Sequence, residues 1–329
     1  CSSIYGGNLP STPYTTDANG RGPAWANSLF EDNAEFGLGF RLSVDQHRQR
    51  VMRLLSTFVD KLPPALNDAL HAEATPEVRR EQVAELRKVL ANEQGAKALL
   101  TDADALVEKS IWLIGGDGWA YDIGFGGLDH VLSLTENVNI LVLDTQCYSN
   151  TGGQASKATP LGAVTKFGEH GKRKARKDLG VSMMMYGHVY VAQISLGAQL
   201  NQTVKAIQEA EAYPGPSLII AYSPCEEHGY DLALSHDQMR QLTATGFWPL
   251  YRFDPRRADE GKLPLALDSR PPSDALAETL LNEQRFRRLN AQQPEVAEQL
   301  WKDAAADLQK RYDFLAQLAG KAEKSPSES

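Results

Sequence analysis

The sequence contains few cysteines, no long apolar run and no excess of positive charge. Three cysteines in 329 residues are too few for a secreted disulfide framework, so we expect reduced thiols and a cytoplasmic location. No apolar run approaches the roughly 20 residues that span a bilayer, so no membrane segment is predicted. The net charge of −8 argues against nucleic acid as a partner. What is left is a globular protein long enough to bury a sizeable core.

The chain also lacks an initial methionine and begins with Cys1. A mature lipoprotein begins with cysteine too, and this alternative is open at the level of the first residue. Because the following sequence is typical of a cytosolic enzyme, we expect Cys1 to be an internal residue of a longer protein. This chain would then be its C-terminal part.

Changes of composition divide the sequence into four segments. Residues 1–43 are rich in Gly, Pro, Ser and Asn, which suits ordered loops that line a site. Residues 44–108 carry apolar positions at helical spacing and are predicted to form a helical insertion. Residues 109–260 are predicted to be an α/β core, and residues 261–329 a C-terminal helical extension with a disordered tail.

Alternating strands and helices in the core predict a doubly wound, mainly parallel sheet. Strands are expected at 110–114, 139–143, 189–195 and 217–222. Helices are expected at about 123–135, 154–168 and 198–212, and two more over 274–319. Open α/β sheets bind ligands at the carboxyl ends of their strands, so the residues after each strand are the candidates for a site.

Glycine-rich polar stretches follow the first two predicted strands. The first is Gly116, Asp117, Gly118 and Trp119, and the second is Thr145, Gln146, Cys147, Tyr148, Ser149 and Asn150. Side by side they would supply a carboxylate, a hydroxyl, an amide and main-chain carbonyls. Mg²⁺ prefers about six oxygen ligands and often takes several from phosphate and water. A helix starting at Gly152 and Gly153 is expected to add N–H groups that favour phosphate.

A GDG sequence followed about 28 residues later by an Asn-containing loop resembles the thiamine diphosphate–Mg²⁺ motif of thiamine-dependent enzymes. The alternative is a pair of glycine-rich turns that only connect elements. The runs GDGWAYDIGFGGLDHVL and YSNTGGQASKATPLGAVTKF, with CSSIYGGNLPSTPYTTDANGRGPAWANSLFEDNAEFG, make the similarity more specific. Together they resemble the C-terminal thiamine-binding region of pyruvate:ferredoxin (flavodoxin) oxidoreductase, over residues 1–43 and 108–329.

The resemblance implies a role for each residue of the two stretches. Mg²⁺ would be bound by Asp117, by the side chain of Thr145 and by the main-chain carbonyl of Cys147. Asn150 would be the catalytic residue, its amide reaching the reactive end of the cofactor. The remaining residues would hold thiamine diphosphate, those after the first strand at its diphosphate: Gly116, Gly118, Trp119, Gln146, Tyr148 and Ser149.

The same resemblance implies a [4Fe–4S] cluster beside the thiamine. Cys1 and Cys225 match two of its four thiolate ligands, and the other two would lie in a CxxC motif upstream of residue 1. This chain would therefore hold half of the cluster's ligands. Without the resemblance, a lone cysteine near a strand end, such as Cys225, is more often structural. Cys147 is expected to be a core thiol.

The complete enzyme, by resemblance, converts pyruvate and coenzyme A to acetyl-CoA and CO₂ and reduces ferredoxin or flavodoxin as a homodimer. Its activating glutamate and substrate-binding residues would lie in the N-terminal remainder, so we expect this chain alone to be inactive. Half of a non-redox thiamine enzyme and a non-catalytic assembly module are the alternatives. The basic run at 170–180 is expected to be a solvated loop, or else a surface for coenzyme A phosphates or an acidic electron carrier.

Overall fold

The computed structural model describes residues 16, 18, 20, 22–24, 26–273 and 275–321. They divide into two compact units. One is Gly37–Ile111, and the other takes in the described residues of Cys1–Phe36 and Trp112–Ser329. Among the helices of the described part, none combines the length and the apolar character that crossing a membrane requires.

The smaller unit is built from helices, and its first helix begins at Asn33, inside the segment 1–43 that was expected to form loops. Its helices are α1 (Asn33–Ser56, which begins before this unit), α2 (Pro64–His71), α3 (Pro76–Val89) and α4 (Lys97–Asp102). Thr75 caps α3 by accepting from the Val78 N–H, and Pro76 occupies its first turn, where a missing N–H costs nothing. The helices enclose a core of its own that includes Val51, Leu55, Val83, Leu86 and Leu99.

The larger unit contains a six-stranded sheet with the strand order β1-β2-β4-β3-β5-β6. Its strands are β1 (Trp112–Gly116), β2 (Asn139–Asp144), β3 (Tyr190–Ile194), β4 (Ser217–Tyr222), β5 (Tyr251–Phe253) and β6 (Leu265–Leu267). The first four in spatial order are parallel, and β5 and β6 are antiparallel. β3 is buried throughout and β4 nearly so, which explains their continuous apolar sequence. The predicted mainly parallel α/β fold is confirmed.

Helices connect these strands and extend the chain beyond them. They are α5 (Phe125–Ser133), α6 (Leu179–Met184), α7 (Leu200–Glu211), α8 (Ser235–Ala244), α9 (Leu276–Leu280), α10 (Gln284–Gln292) and α11 (Pro294–Leu318). On α7, Ala206 and Ala210 pack against the sheet with Ala192 of β3 and Ile219 of β4. The C-terminal segment holds three helices where two were expected, and it also holds β6, which has no counterpart among the expected strands.

The helix expected at 154–168 is wrong, and so is the phosphate-favouring helix start at Gly152 and Gly153. The segment consists of turns and isolated bridges. Both glycines have positive φ, as does Gly162, and a helix cannot run through such positions. Two hydroxyls also take main-chain partners within the segment: Thr159 accepts from the Ser156 N–H and Ser156 accepts from the Ala158 N–H. Such local bonds compete with helix formation.

Candidate active site

The loops after β1, β2 and β4 bring the predicted residues to one edge of the sheet. Asp117 follows β1 directly, Thr145 follows β2 directly, and Cys225 comes shortly after the end of β4. These three strands are neighbours and parallel, so their carboxyl ends lie together, as expected. The chain after Asp117 forms a π-helical turn, Gly118–Ile123, a rare conformation that is frequent at functional sites.

Four oxygen-bearing groups converge here, and we call them the oxygen cluster: the Asp117 carboxylate, the Thr145 hydroxyl, the Cys147 main-chain carbonyl and the Ser149 hydroxyl. Thr145 Oγ1 lies 2.8 Å from Asp117 Oδ1, 3.1 Å from the Cys147 oxygen and 2.6 Å from Ser149 Oγ. Asp117 is 1% exposed. The structure thus brings together the side chains and the carbonyl that the sequence assigns to Mg²⁺.

The oxygen cluster has fewer protons than close oxygen contacts. Thr145 carries one hydroxyl proton, while the Asp117 carboxylate in its ionised form and the Cys147 carbonyl only accept. Thr145 can therefore donate to one of these two, and the other contact stays a pair of oxygens without a proton between them. Adjacent ligands of octahedral Mg²⁺ are about 2.9 Å apart, close to the 2.8 and 3.1 Å seen here. The donor set fits a magnesium ion.

The electrostatics of Asp117 also favour a cation. Burial raises the pKa of Asp117 to about 7, with a further contribution from the charge of Asp144 and an opposing one from hydrogen bonds of Ser156 and Thr145. Ser156 Oγ donates to Asp117 Oδ2 at 2.5 Å, and the Thr145 N–H donates to Oδ1 at 3.2 Å. A nearby cation would favour the charged carboxylate and reverse the shift.

Asp144, at the end of β2, has a cationic partner, whereas Asp117 has none within the part of the chain that the structure describes. Arg176 Nη2 lies 2.6 Å from Asp144 Oδ2, with the two side chains 10% and 0% exposed. Tyr121 donates to the same oxygen at 2.7 Å, and Arg176 stacks on Trp248 at 4.9 Å. Burial acts to lower the pKa of Arg176, but the Asp144 carboxylate, together with Tyr121 and Asp178, raises that pKa overall. Arg176 thus stays charged and compensates Asp144.

Glycines leave room for the aromatic side chains around the site. A Cβ added at Gly115 or Gly124 would lie 2.2 Å or 2.0 Å from the Trp119 ring. A Cβ at Gly118 would lie 2.6 Å from the Tyr148 ring. Trp119 is 1% exposed, and its Nε1 has no hydrogen-bond partner among the described residues. The glycines of this motif therefore allow close packing of the Trp119 and Tyr148 rings.

Cys147 and Cys225 are both buried free thiols and they hydrogen-bond to each other. This bond from Cys147 lowers the pKa of Cys225 to about 6, and it raises the pKa of Cys147. A thiol with a lowered pKa is more readily the thiolate that ligates a metal. Cys1 lies outside the described residues. The contact with Cys225 was not predicted, whereas the burial of Cys147 was.

The remaining residues of the second stretch have different surroundings. Asn150 is exposed in the turn after Ser149. Gln146 is fully buried, and its Oε1 accepts from Arg285 Nη2 at 2.7 Å. Among the described residues, no group of three His, Cys, Asp or Glu side chains could hold a metal. A metal site in the described part thus depends on hydroxyl and carbonyl oxygens.

The basic run at 170–180 is only partly the solvated loop that was expected. Arg173 and Lys174 are exposed. Lys172 Nζ instead donates to the main-chain oxygens of Ser156 and Thr159 at 3.0 and 2.6 Å, and Arg176 is buried against Asp144. For Lys172 and Arg176 the expectation of a solvated side chain is wrong. Lys172 caps main-chain oxygens of the loop that carries Ser156, and Arg176 neutralises Asp144.

Comparisons with known proteins agree with this geometry. A family model described as "Thiamine pyrophosphate enzyme, C-terminal TPP binding domain" matches residues 89–221. A probable pyruvate-flavodoxin oxidoreductase of Escherichia coli strain K12 is 90% identical over 99% of this chain and 28% of that protein. A pyruvate-flavodoxin oxidoreductase of Rhodospirillum rubrum is 54% identical over 98% of this chain and 28% of that protein. A pyruvate:ferredoxin oxidoreductase of Moorella thermoacetica is 46% identical over 97% of this chain and 28% of that protein.

Residues 89–221 are similar to the C-terminal TPP binding domain of thiamine pyrophosphate enzymes. Nearly the whole chain is similar to part of pyruvate-flavodoxin and pyruvate:ferredoxin oxidoreductases. The chain spans about 28% of the length of these curated relatives.

Proposed function

We propose that this chain binds Mg²⁺ through Asp117, the Thr145 hydroxyl and the Cys147 carbonyl, and holds thiamine diphosphate through that ion. The observation that carries the proposal is the oxygen cluster, whose contacts of 2.8 and 3.1 Å share one hydroxyl proton. Among the described residues, no cationic side chain is bonded to the buried charge of Asp117, so the ion would fill that role. Gly116, Gly118 and Trp119 would contact the diphosphate.

When bound, thiamine diphosphate supplies the carbon chemistry, and the protein supplies position, metal and field. In this chain Asp117 provides the negative charge for the ion, and Ser156 and Thr145 orient its two oxygens. Trp119 fills the space beside β1 and excludes water. Asn150, exposed in its turn, would present its amide to substrate oxygens.

We further propose that the protein to which this segment belongs oxidises pyruvate with coenzyme A and reduces ferredoxin or flavodoxin. The support is the 90% identity to a probable pyruvate-flavodoxin oxidoreductase across 99% of this chain. A homodimer in the cytoplasm is part of the same proposal, and the two reduced, buried thiols fit that compartment.

Cys225 and Cys1 are proposed as two ligands of a [4Fe–4S] cluster near the thiamine site. Cys225 supports this by its position after β4, beside the oxygen cluster, and by its lowered pKa. In the longer protein, Cys225→Ser should lower the iron content and remove the cluster's electron paramagnetic resonance signal. Unchanged iron and an unchanged signal would refute the ligand role of Cys225, whereas a wild-type protein without iron or signal would favour a non-redox thiamine enzyme.

The magnesium assignment is tested by Asp117→Asn, with thermal unfolding measured with and without thiamine diphosphate and Mg²⁺. Ligand at about 100 times its Kd stabilises a fold by roughly 2.7 kcal/mol, equivalent to about 5–10 °C in Tm for a unit of this size. The wild-type chain should show this rise, and Asp117→Asn should lose most of it, because the carboxylate's charge is gone.

The matched control is Asp129→Asn, which removes the same charge from an acid outside the oxygen cluster that bonds to Tyr186. It should retain the full ligand-induced rise. Equal rises in wild type and Asp117→Asn would refute the metal assignment. The absence of any rise in the wild type would favour a non-catalytic assembly module.

A further inference from the structure

Gln146 stands between the two proposed magnesium ligands of the second loop, Thr145 and Cys147, in a conformation that side chains disfavour. Its φ is +61°, and Phe167 is the other non-glycine with positive φ among the described residues. Phe167 is 88% exposed, whereas Gln146 is fully buried. A residue with a Cβ adopts this left-handed conformation at a cost, so its surroundings must stabilise it.

Three hydrogen bonds hold Gln146 in place, and the first runs from its own N–H to Asp144 Oδ1 at 3.1 Å. Arg285 Nη2 donates to its side-chain oxygen at 2.7 Å, and Thr159 Oγ1 donates to its main-chain oxygen at 2.6 Å. Thr159 comes from the adjoining loop. Arg285 comes from α10, 139 residues further along the chain. A helix of the C-terminal segment therefore contacts the loop that carries the oxygen cluster.

Arg285 is itself fixed by a buried partner. Its Nε lies 2.6 Å from Glu283 Oε2, with the two side chains 4% and 0% exposed. Glu283 also accepts from Gln238 Nε2 at 2.9 Å. With one edge of its guanidinium on Glu283 and another on Gln146, Arg285 uses the fixed fork of donors that only arginine offers.

We propose that Arg285 is a positioning residue for the magnesium site, acting by holding Gln146 in the left-handed conformation. If Gln146 relaxed to an ordinary conformation, the peptide groups on both of its sides would rotate. The peptide after Gln146 carries the Gln146 carbonyl and the Cys147 N–H, and its rotation would displace the Cys147 carbonyl, one peptide further on, from Thr145 Oγ1, which lies 3.1 Å from it. On the other side, His228 Nε2 donates to the Thr145 carbonyl at 2.8 Å, so the rotation would fall mainly on Cys147. This inference rests on the proposed magnesium and thiamine diphosphate binding.

Two substitutions at position 146 distinguish the loss of the left-handed conformation from the loss of the contact with Arg285. Gln146→Met and Gln146→Gly both lose the bond from Arg285, but only methionine still carries a Cβ that disfavours positive φ. Glycine adopts that conformation readily. The dissociation constant of thiamine diphosphate, measured by calorimetry at saturating Mg²⁺, should rise at least about tenfold in Gln146→Met, in proportion to the lost competent fraction. In Gln146→Gly it should stay within about threefold of wild type.

Arg285 is tested from its own side with a variant that keeps the charge beside Glu283. Arg285→Lys cannot bond Glu283 and Gln146 together, so we expect the same rise of about tenfold. Adding Gln146→Gly to Arg285→Lys should restore affinity, which a merely structural role of Arg285 would not allow. Arg288→Lys is the control, since Arg288 is exposed on the same helix, and its affinity should equal that of wild type.

The outcomes distinguish the inference from the function on which it rests. A wild-type chain that binds no thiamine diphosphate with Mg²⁺ overturns both. If the wild type binds and Gln146→Met binds equally well, or if Gln146→Gly is as weak as Gln146→Met, the positioning role alone is refuted. Should Arg285→Lys fail to fold, the comparison between the two position-146 variants decides, because it leaves the Arg285–Glu283 pair intact.

Discussion

Adding a single methyl group at Gly115 would measure how tightly the end of β1 packs on the motif that follows it. The new Cβ would lie 2.2 Å from Trp119 Cε3 and 2.7 Å from Cζ3. Carbon atoms pack at about 3.5–4.0 Å, so the indole would have to move by more than about 1 Å. Trp119 is 1% exposed, and it has no free space on the solvent side. Gly115→Ala is therefore a strongly overpacked variant.

Overpacking of a well-packed core costs about 1–3 kcal/mol, and a contact this short places Gly115→Ala near the upper end. For a unit of this size, about 3 kcal/mol lowers Tm by roughly 6–12 °C. The matched control is Gly126→Ala on α5, where an added Cβ meets nothing within 4 Å. It should be neutral or stabilise by up to about 1 kcal/mol, because alanine is the better helix former. Thermal unfolding followed by circular dichroism gives both values.

The cause is identified by combining Gly115→Ala with Trp119→Phe. Phenylalanine lacks most of the indole's second ring, which the added methyl would strike, so the two changes should be non-additive by about 1 kcal/mol or more. If Gly115→Ala lowers Tm no more than Gly126→Ala, the packing argument is refuted. Additive effects in the double variant would show that the clash lies elsewhere.

Two further predictions concern buried charge. Arg176→Met leaves the Asp144 carboxylate buried without its cation and should lower the free energy of unfolding in urea by about 3–5 kcal/mol. The control Arg173→Met, at an exposed position, should be neutral. Equal urea midpoints of the two variants would contradict the pairing. Burial and the charge of Arg285 lower the pKa of His228 to about 4, so the unfolded state binds the proton first as pH falls from about 6.5 to 4. Between pH 6.5 and 4, without cofactor, the free energy of unfolding of the wild type should fall by about 3 kcal/mol relative to that of His228→Gln. If the stabilities of the two proteins followed pH in parallel, the lowered pKa of His228 would be excluded.

Periodicity and motif spacing were sufficient for the parallel part of the sheet. The four parallel strands are each at least five residues long and strongly apolar, and such runs are the most reliable sequence signal. β5 and β6 have three residues each, too few for a period to be seen. They join the sheet only through antiparallel pairing with β3 and with each other, which is a tertiary effect.

The candidate site was predictable where its residues adjoin a strand end. Asp117 and Thr145 follow β1 and β2 directly, so alternation alone brings them together. Ser156, Arg176 and Arg285 contact Asp117, Asp144 and Gln146 from separations of 39, 32 and 139 residues. No local pattern distinguishes such residues from other surface serines and arginines, since their role arises only when distant loops fold onto the sheet edge.

The two buried carboxylates at this edge explain why a divalent cation, and not another side chain, would complete the site. Asp117 and Asp144 bring two negative charges to a region from which water is excluded, and each is at most 1% exposed. Arg176 lies on Asp144 at 2.6 Å, which leaves the charge of Asp117 to hydroxyls and a main-chain N–H. A buried carboxylate with only such partners either takes up a proton or binds a cation. The raised pKa of about 7 makes the first outcome accessible near neutral pH, and the converging oxygens of Thr145 and Cys147 provide the ligands for the second. Proton and Mg²⁺ are thus alternative ways to neutralise the same charge.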